Sequence, residues 1–172
     1  MKKAFLQLHI AVFLAGFTAI LGKLIGLNEG ILVWYRLLIT VLTLGLILFF
    51  RKELERISPK DVLKIAGVGA IVGIHWVLFY GSVKYANVSV GVVCLAAAGF
   101  FTSFFEPLIL KRKISIIEVL LGVLTIIGIY IIFDFHPQYK VGIIFGILAT
   151  RSAALYFPSS IKNWSKTFLQ GY

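Results

Sequence analysis

Cysteine is almost absent from this chain: Cys94 is the only one, and it lies in the middle of an apolar run. A lone thiol can form neither an intramolecular disulfide nor a paired-cysteine metal site. A cysteine in such surroundings usually packs as a small apolar side chain. The chain therefore has no disulfide framework and no thiolate metal centre.

The familiar catalytic motifs are missing as well. The chain contains no HExxH metal motif, no GxSxG nucleophile elbow, no Walker phosphate loop and no paired carboxylates. Its glycines follow no predicted strand, so they do not form a dinucleotide-binding fingerprint. We therefore expect no cofactor and no metal, and we predict that the protein is not an enzyme.

The chain has few charged residues and several long apolar runs. Charged residues make up 14% of the chain, apolar residues make up 60%, and the mean hydropathy is +0.99. A bilayer core requires about 20 apolar residues per helix. We predict membrane spans at about 5–25, 31–50, 63–83, 88–110 and 115–134, and a shorter sixth at about 141–157. Because the runs are continuous and do not alternate, they predict an all-α polytopic transmembrane bundle and not a barrel.

Small residues recur inside these runs and predict close contacts between helices. Gly67, Gly69 and Gly73 lie in the third run, and Gly69 and Gly73 have the GxxxG spacing. Glycine at that spacing lets the backbones of two membrane helices approach each other. We therefore expect the third helix to pack closely at this stripe.

The positive charges alternate between the two ends of the runs. Of the 17 lysines and arginines, 13 lie at the N-terminus, in the second and fourth connections and in the tail. The first, third and fifth connections hold one each. The positive-inside rule then places the N-terminus in the cytoplasm of a protein of the cell inner membrane. The net charge of +10 fits contact with anionic lipid headgroups, and no nucleic-acid partner is expected.

Arg36 is a charge inside an apolar run, near the start of the second span. A guanidinium at the centre of a span costs about 2.5–3.5 kcal/mol on insertion scales, so a partner or a wet cavity should face it. Thr40 follows one turn later on the same face. The alternative is that Arg36 snorkels to the nearer interface beside Trp34 and Tyr35.

Glu106 is the second charge in an apolar setting, near the end of the fourth span. Pro107 follows it, and Thr102 and Ser103 share its face. A carboxylate in such a place can carry a proton or pair with a cation. The alternative is a structural cap close to the basic cluster at residues 111–113. Because Arg36 is predicted at the opposite depth, direct contact between the two is not expected.

His75 and Trp76 form a third candidate site in the third span, with Tyr80 and Ser82 alongside. A histidine there can relay protons or bind substrate. The alternative is a hydrogen bond to a neighbouring helix.

Three segments together resemble the EamA-type family of the drug/metabolite transporter superfamily. They are VWYRLLI at residues 33–39, GIHWVLFY at 73–80 and FEPLIL at 105–110. The resemblance implies ten helices in two inverted repeats of five around a central cavity, with ion-driven alternating access and no ATP site. It also implies that Arg36, His75, Trp76 and Glu106 line or flank that cavity. The chain departs from the family after the fourth helix. The family often has Gly-Glu-Arg or Lys-Glu-Arg there, whereas this chain has Lys111-Arg112-Lys113. The role of the family's glutamate therefore cannot be carried over to Arg112, which stands in its place.

The chain divides near residue 134 in this interpretation. Residues 5–134 form one five-helix repeat, and 135–172 begin a second repeat and continue into an aberrant polar tail. Arg151 falls inside the sixth run, and we expect Pro158 to end that run early. One hypothesis is a frameshift or premature stop near codon 150, and the other is a natural short protein whose sixth helix is broken or interfacial.

A single repeat has only half a cavity, because such transporters build their site between repeats. Activity would then require a homodimer or a second transporter half, and the charge bias favours one fixed orientation. We predict a transporter, or transporter half, that exports small metabolites and contacts membrane lipid. The alternative is a non-transporting membrane fragment or a subunit that needs a partner half.

Overall fold

A computed structural model describes residues 2–52, 58–133 and 137–169 of the chain. The helices are α1 (Lys2–Leu24), α2 (Glu29–Arg51), α3 (Pro59–Tyr85), α4 (Val88–Ala96), α5 (Ala98–Leu110), α6 (Ile116–Phe133) and α7 (Lys140–Leu169). A short 3₁₀ turn, Pro137–Tyr139, precedes α7. No strand occurs in these ranges.

Five helical segments are long and apolar enough to cross a membrane. They are α1, α2, α3, the run formed by α4 and α5, and Lys140–Ser160 of α7. The remaining helix, α6, carries a shorter apolar stretch, Ile116–Ile131. The predicted all-α transmembrane bundle is therefore confirmed, and this is a multi-pass membrane protein.

Polar residues in the short connections start three of the helices. The side-chain oxygen of Asn28 accepts from the backbone N–H groups of Gly30 and Ile31, at 2.9 and 3.2 Å. Asn87 and Ser58 cap α4 and α3 in the same way. Caps of this kind satisfy backbone donors that the first turn of a helix leaves free. The connections can therefore stay short, which keeps neighbouring spans antiparallel.

The fourth span is interrupted at one residue, which the sequence pattern did not predict, and this interruption is called the bend below. Ala97 separates α4 from α5, and its N–H donates to the carbonyl of Cys94 at 3.1 Å. The Thr150 hydroxyl on α7 donates to the same carbonyl at 2.9 Å and to the Gly146 carbonyl at 2.8 Å. Lipid offers a carbonyl no hydrogen-bond donor, so irregular backbone in a span needs such a partner. A side chain of α7 therefore completes the bend.

The prediction that Pro158 ends the sixth run early is wrong, because α7 continues through this residue to Leu169. Proline lacks the N–H that would reach the carbonyl four residues earlier, that of Ala154. The Ser159 hydroxyl donates to the next carbonyl, that of Leu155, at 2.7 Å. Membrane helices tolerate proline where a serine or a neighbouring helix satisfies the backbone nearby. Here α7 packs against α3, α4 and α5, and those contacts support the helix.

The expected close contact at the Gly69–Gly73 stripe is also wrong. A Cβ built on Gly67, Gly69 or Gly73 would meet nothing within 4 Å. Glycine spacing allows close approach, but it does not determine which face of a helix meets a neighbour. This stripe faces away from the rest of the bundle.

The close helix contact lies instead at Gly142 and Gly146 of α7, which have the same GxxxG spacing. A Cβ on Gly142 would lie 2.4 Å from the Cβ of Ala86, and one on Gly146 would lie 2.6 Å from the Cβ of Cys94. Ser82 also faces Gly146 and is fully buried. Small residues on three helices thus bring α7 against α3 and α4.

Candidate functional site

Arg36 turns inward from α2 and contacts two aromatic rings of α3. Its Nη1 donates to the hydroxyl of Tyr80 at 2.6 Å, and its Cζ lies 3.7 Å from the ring centroid of Trp76. Trp76 and Tyr80 are one helical turn apart, so both face the same neighbour. A cation over the face of tryptophan is attracted by the ring quadrupole. The two contacts fix the plane and the position of the guanidinium.

A cavity of about 350 Å³ opens beside this guanidinium, between α1 and α2. Half of the described residues that line it are leucine or isoleucine, and Arg36 is the one charged residue among them. Its other polar groups belong to Thr18, Tyr35 and Tyr80. The cavity is therefore an apolar cleft with one cationic end.

Tyr80 is held in place from two sides. A Cβ on Gly22 of α1 would lie 2.2 Å from Cε1 of Tyr80, so only glycine lets the ring lie this close to α1. On the other side the ring stacks with Trp76, with centroids 5.8 Å apart and planes 28° apart. The phenol is consequently only 2% exposed. It presents a rigid hydroxyl to Arg36.

The charge of Arg36 has no carboxylate partner in the part of the chain that the structure describes. The guanidinium is half-buried, and its hydrogen-bond acceptor is the neutral Tyr80. Arg36 therefore keeps a full positive charge at the cavity without an ion pair to offset it.

Thr40 lies near Arg36 along α2 but does not line the cavity. Its hydroxyl donates to the Arg36 carbonyl at 2.8 Å, and the residue is exposed. This bond stays within one helix, so it supports the helix turn that carries Arg36.

His75 lies on α3 next to Trp76 but faces α7. Its Nδ1 donates to the carbonyl of Ala149 at 2.7 Å, and the residue is only 6% exposed. The rings of Phe79 and Tyr156 lie close to it, with centroids 6.4 and 5.9 Å away. The structure therefore places His75 in the seam between α3 and α7 and not in the cavity wall.

Glu106 and Thr102 lie on α5, away from Arg36. Glu106 Oε1 is 3.2 Å from Nη1 of Arg112, and both side chains are substantially exposed, at 39% and 68%. Thr102 is partly buried one turn earlier. The predicted site residues therefore form separate groups: Arg36 and Trp76 meet, His75 belongs to the α7 seam, and Glu106 pairs with Arg112.

Of the residues that line the cavity, only Arg36 was predicted from the sequence as a site residue, and Tyr80 and Gly22 are two that were not. A signal for Tyr80 was present, because it follows Trp76 by four residues and so shares its helix face. Gly22 gave no comparable signal, since a glycine in a membrane helix is common.

Two lysines join the ends of α1 and α3 near this cavity. Lys23 donates to three carbonyls at the end of α3, those of Val83, Lys84 and Ala86, at 3.0, 3.1 and 3.3 Å. Lys84 in turn donates to the carbonyls of Ile25 and Leu27, just after α1. Ammonium groups stabilise the negative end of a helix dipole. We call this arrangement the lysine clamp; it fixes α1 against α3 at one end of the bundle.

Comparison with known proteins supports an assignment to one family. The model of the EamA-like transporter family matches residues 2–134, which includes every helix from α1 to α6. No curated protein and no solved structure matches the chain. The match covers well over half of the chain, and this membrane protein belongs to the EamA-like transporter family.

Proposed function

We propose that the chain is a transporter, or one half of a transporter, that exports small metabolites by ion-coupled alternating access. The observation that carries this proposal is the half-buried Arg36 at an apolar cavity of about 350 Å³. A cavity of this size lies in the range of small-molecule sites, about 300–1,000 Å³. Membership in a family of transporters supports the same function.

The proposed location is the cell inner membrane, with the N-terminus in the cytoplasm. Of the 13 basic residues counted at the cytoplasmic side, 12 lie at or near the ends of spans, and Arg151 lies within the Lys140–Ser160 span of α7. The positive-inside rule supports this orientation. The cavity and the lysine clamp would then lie toward the outer side.

The candidate residues have different roles in this proposal. Arg36 contacts an anionic group of the substrate, and Trp76 holds its guanidinium in place. Glu106 binds the coupling proton or cation. That proton or cation would compete with the Arg112 guanidinium for the Glu106 carboxylate. His75 acts on α7 through its bond to the Ala149 carbonyl.

A second candidate function is a membrane subunit that acts only with a second copy or a partner half. The exposure of α1 and α2 favours it, because these helices border the cavity and yet bury few side chains. Sites in inverted-repeat transporters lie between two repeats, so a partner could cover this open side.

Flux through the purified protein in proteoliposomes tests the proposal. Glu106→Gln is expected to abolish gradient-driven flux and to leave membrane insertion intact. Glu118→Gln is the matched control, since this exposed glutamate lies in the first turn of α6. Unchanged flux in Glu106→Gln would remove Glu106 from the mechanism. Absence of flux in the wild-type protein alone, with flux restored by a co-expressed half, would favour the subunit.

A further inference from the structure

We infer that the cavity beside Arg36 binds amphipathic monocarboxylates, whose carboxylate is held jointly by the Arg36 guanidinium and the Tyr80 hydroxyl. The inference rests on the proposed function of this cavity as the substrate site, and it specifies the chemical class of the substrate.

The first argument is charge balance. The guanidinium stays protonated at any physiological pH. It borders an apolar wall, and no described carboxylate neutralises it. A charge removed from water is stabilised by an opposite charge at hydrogen-bond distance. An anionic group in the cavity would supply that partner, whereas a cationic ligand would meet repulsion.

The second argument is the set of free donors. Arg36 has five N–H groups, of which the bond to Tyr80 uses one. Trp76 covers a face of the guanidinium, so its edges remain available for hydrogen bonds. Because Tyr80 accepts from Arg36, its own O–H hydrogen can be donated elsewhere. A planar guanidinium fork matches a carboxylate in bidentate geometry, and the tyrosine adds a third donor.

The third argument is the rest of the wall. Leu21, Ile25, Leu32 and Ile39 offer only apolar surface, and no acidic side chain lines the cavity among the residues that the structure describes. A hydrocarbon chain fits this surface. A dicarboxylate would bring a second negative charge without a partner, and an amino acid would bring an unpartnered ammonium group. The second carboxylate or the ammonium group would lose its hydration without gaining a hydrogen bond or an ion pair in the cavity, which costs free energy. The lining therefore selects for a single carboxylate on an apolar body.

The test is ligand binding by the full chain in nanodiscs, which needs neither a gradient nor flux. The chain has three tryptophans, and replacing Trp34 and Trp164 by phenylalanine leaves Trp76 as the reporter. The guanidinium rests on this indole, so a ligand that engages Arg36 changes its fluorescence. The probes are 4-methylpentanoate, 4-methylpentanamide and leucine, which share one hydrocarbon skeleton.

We expect saturable binding of 4-methylpentanoate. The amide should bind about tenfold or more weakly, because hydrogen bonds to a charged group are roughly twice as strong as neutral ones. Leucine should also bind about tenfold or more weakly, because its ammonium group would lose its hydration without gaining a partner in the cavity. Equal affinity for the acid and the amide, tighter binding of leucine, or no saturable binding of the acid would overturn the inference.

Variants locate the binding to the proposed residues. Arg36→Gln is expected to lose the preference for the acid over the amide. Tyr80→Phe keeps the ring between Gly22 and Trp76 and should weaken acid binding severalfold, so the test does not depend on the folding of the arginine variant. Arg51→Gln, at the opposite end of α2, is the matched control and should bind like the parent. An unchanged preference in both Arg36→Gln and Tyr80→Phe contradicts the inference.

The failure of this inference and that of the proposed function are distinguishable. Acid binding without any flux in proteoliposomes would retain the substrate class and reject transport by this chain alone. Flux of another solute without acid binding would retain transport and reject the substrate class.

Discussion

Replacing Thr150 by valine removes the hydroxyl that bridges α7 and the bend between α4 and α5, and it leaves the side-chain volume nearly unchanged. The hydroxyl has one hydrogen, which the carbonyls of Cys94 and Gly146 share at 2.9 and 2.8 Å. Thr150 is fully buried. Interhelical hydrogen bonds in membrane proteins contribute about 0.6 kcal/mol on average and up to about 1.7 kcal/mol. Because lipid offers the Cys94 carbonyl no substitute donor, we expect Thr150→Val to lower the free energy of unfolding by about 1–1.5 kcal/mol.

Thr125→Val is the matched control for this prediction. The Thr125 hydroxyl donates to the carbonyl four residues earlier, as Thr150 does, but Thr125 is only partly buried and its hydroxyl bonds no second helix among the described residues. We expect its loss to change the unfolding free energy by only a few tenths of a kcal/mol. Unfolding in dodecyl sulfate, followed by circular dichroism, measures both variants. If Thr150→Val costs no more than Thr125→Val, the hydroxyl does not support the bend and the reasoning is refuted.

Three further changes, the first with a matched control, have expected outcomes that the same unfolding assay can check. Gly22→Val should destabilise the protein by about 1–3 kcal/mol through overpacking against the ring of Tyr80. Gly16→Val should be nearly neutral, because a Cβ at Gly16 meets nothing within 4 Å, and equal effects would contradict the close contact. Lys23→Met should cost about 1 kcal/mol and speed amide exchange around residues 84–88, since the carbonyls at the end of α3 lose their donor; unchanged exchange would rule out the lysine clamp. Arg112→Gln should cost at most about 1 kcal/mol because its pair is exposed, and a larger loss would mean that the pair is buried in the membrane-embedded protein.

The membrane spans could be predicted from the sequence because their signal is local. An apolar run of about 20 residues has to form its backbone hydrogen bonds within itself, whatever its neighbours are. The bend at Ala97 and the continuation of α7 past Pro158 depend instead on groups outside the run or beside the proline. The Thr150 hydroxyl lies 56 residues from the carbonyl that it satisfies, and no local pattern connects the two.

The candidate site could be predicted from the sequence only in part. Arg36 stands out because a charge in an apolar run is costly and requires an explanation. Tyr80 stands out less, because its only signal in the sequence is that it follows Trp76 by four residues and so shares its helix face. Its importance comes from the face of α3 that meets α2, which the sequence does not specify. The two GxxxG stripes make the same point, since Gly69 and Gly73 face open space while Gly142 and Gly146 lie against other helices.

The bond between Thr150 and the Cys94 carbonyl also bears on the order in which the protein matures. A ribosome adds about 5–20 residues per second, so Thr150 is made roughly 3–11 s after Cys94. Hydrogen-bond formation and helix growth are complete within microseconds. During synthesis, α4 and α5 are therefore present for seconds before the Thr150 hydroxyl can donate to the Cys94 carbonyl. The bend between α4 and α5 therefore reaches its final geometry only after α7, a helix synthesised later, has packed against it.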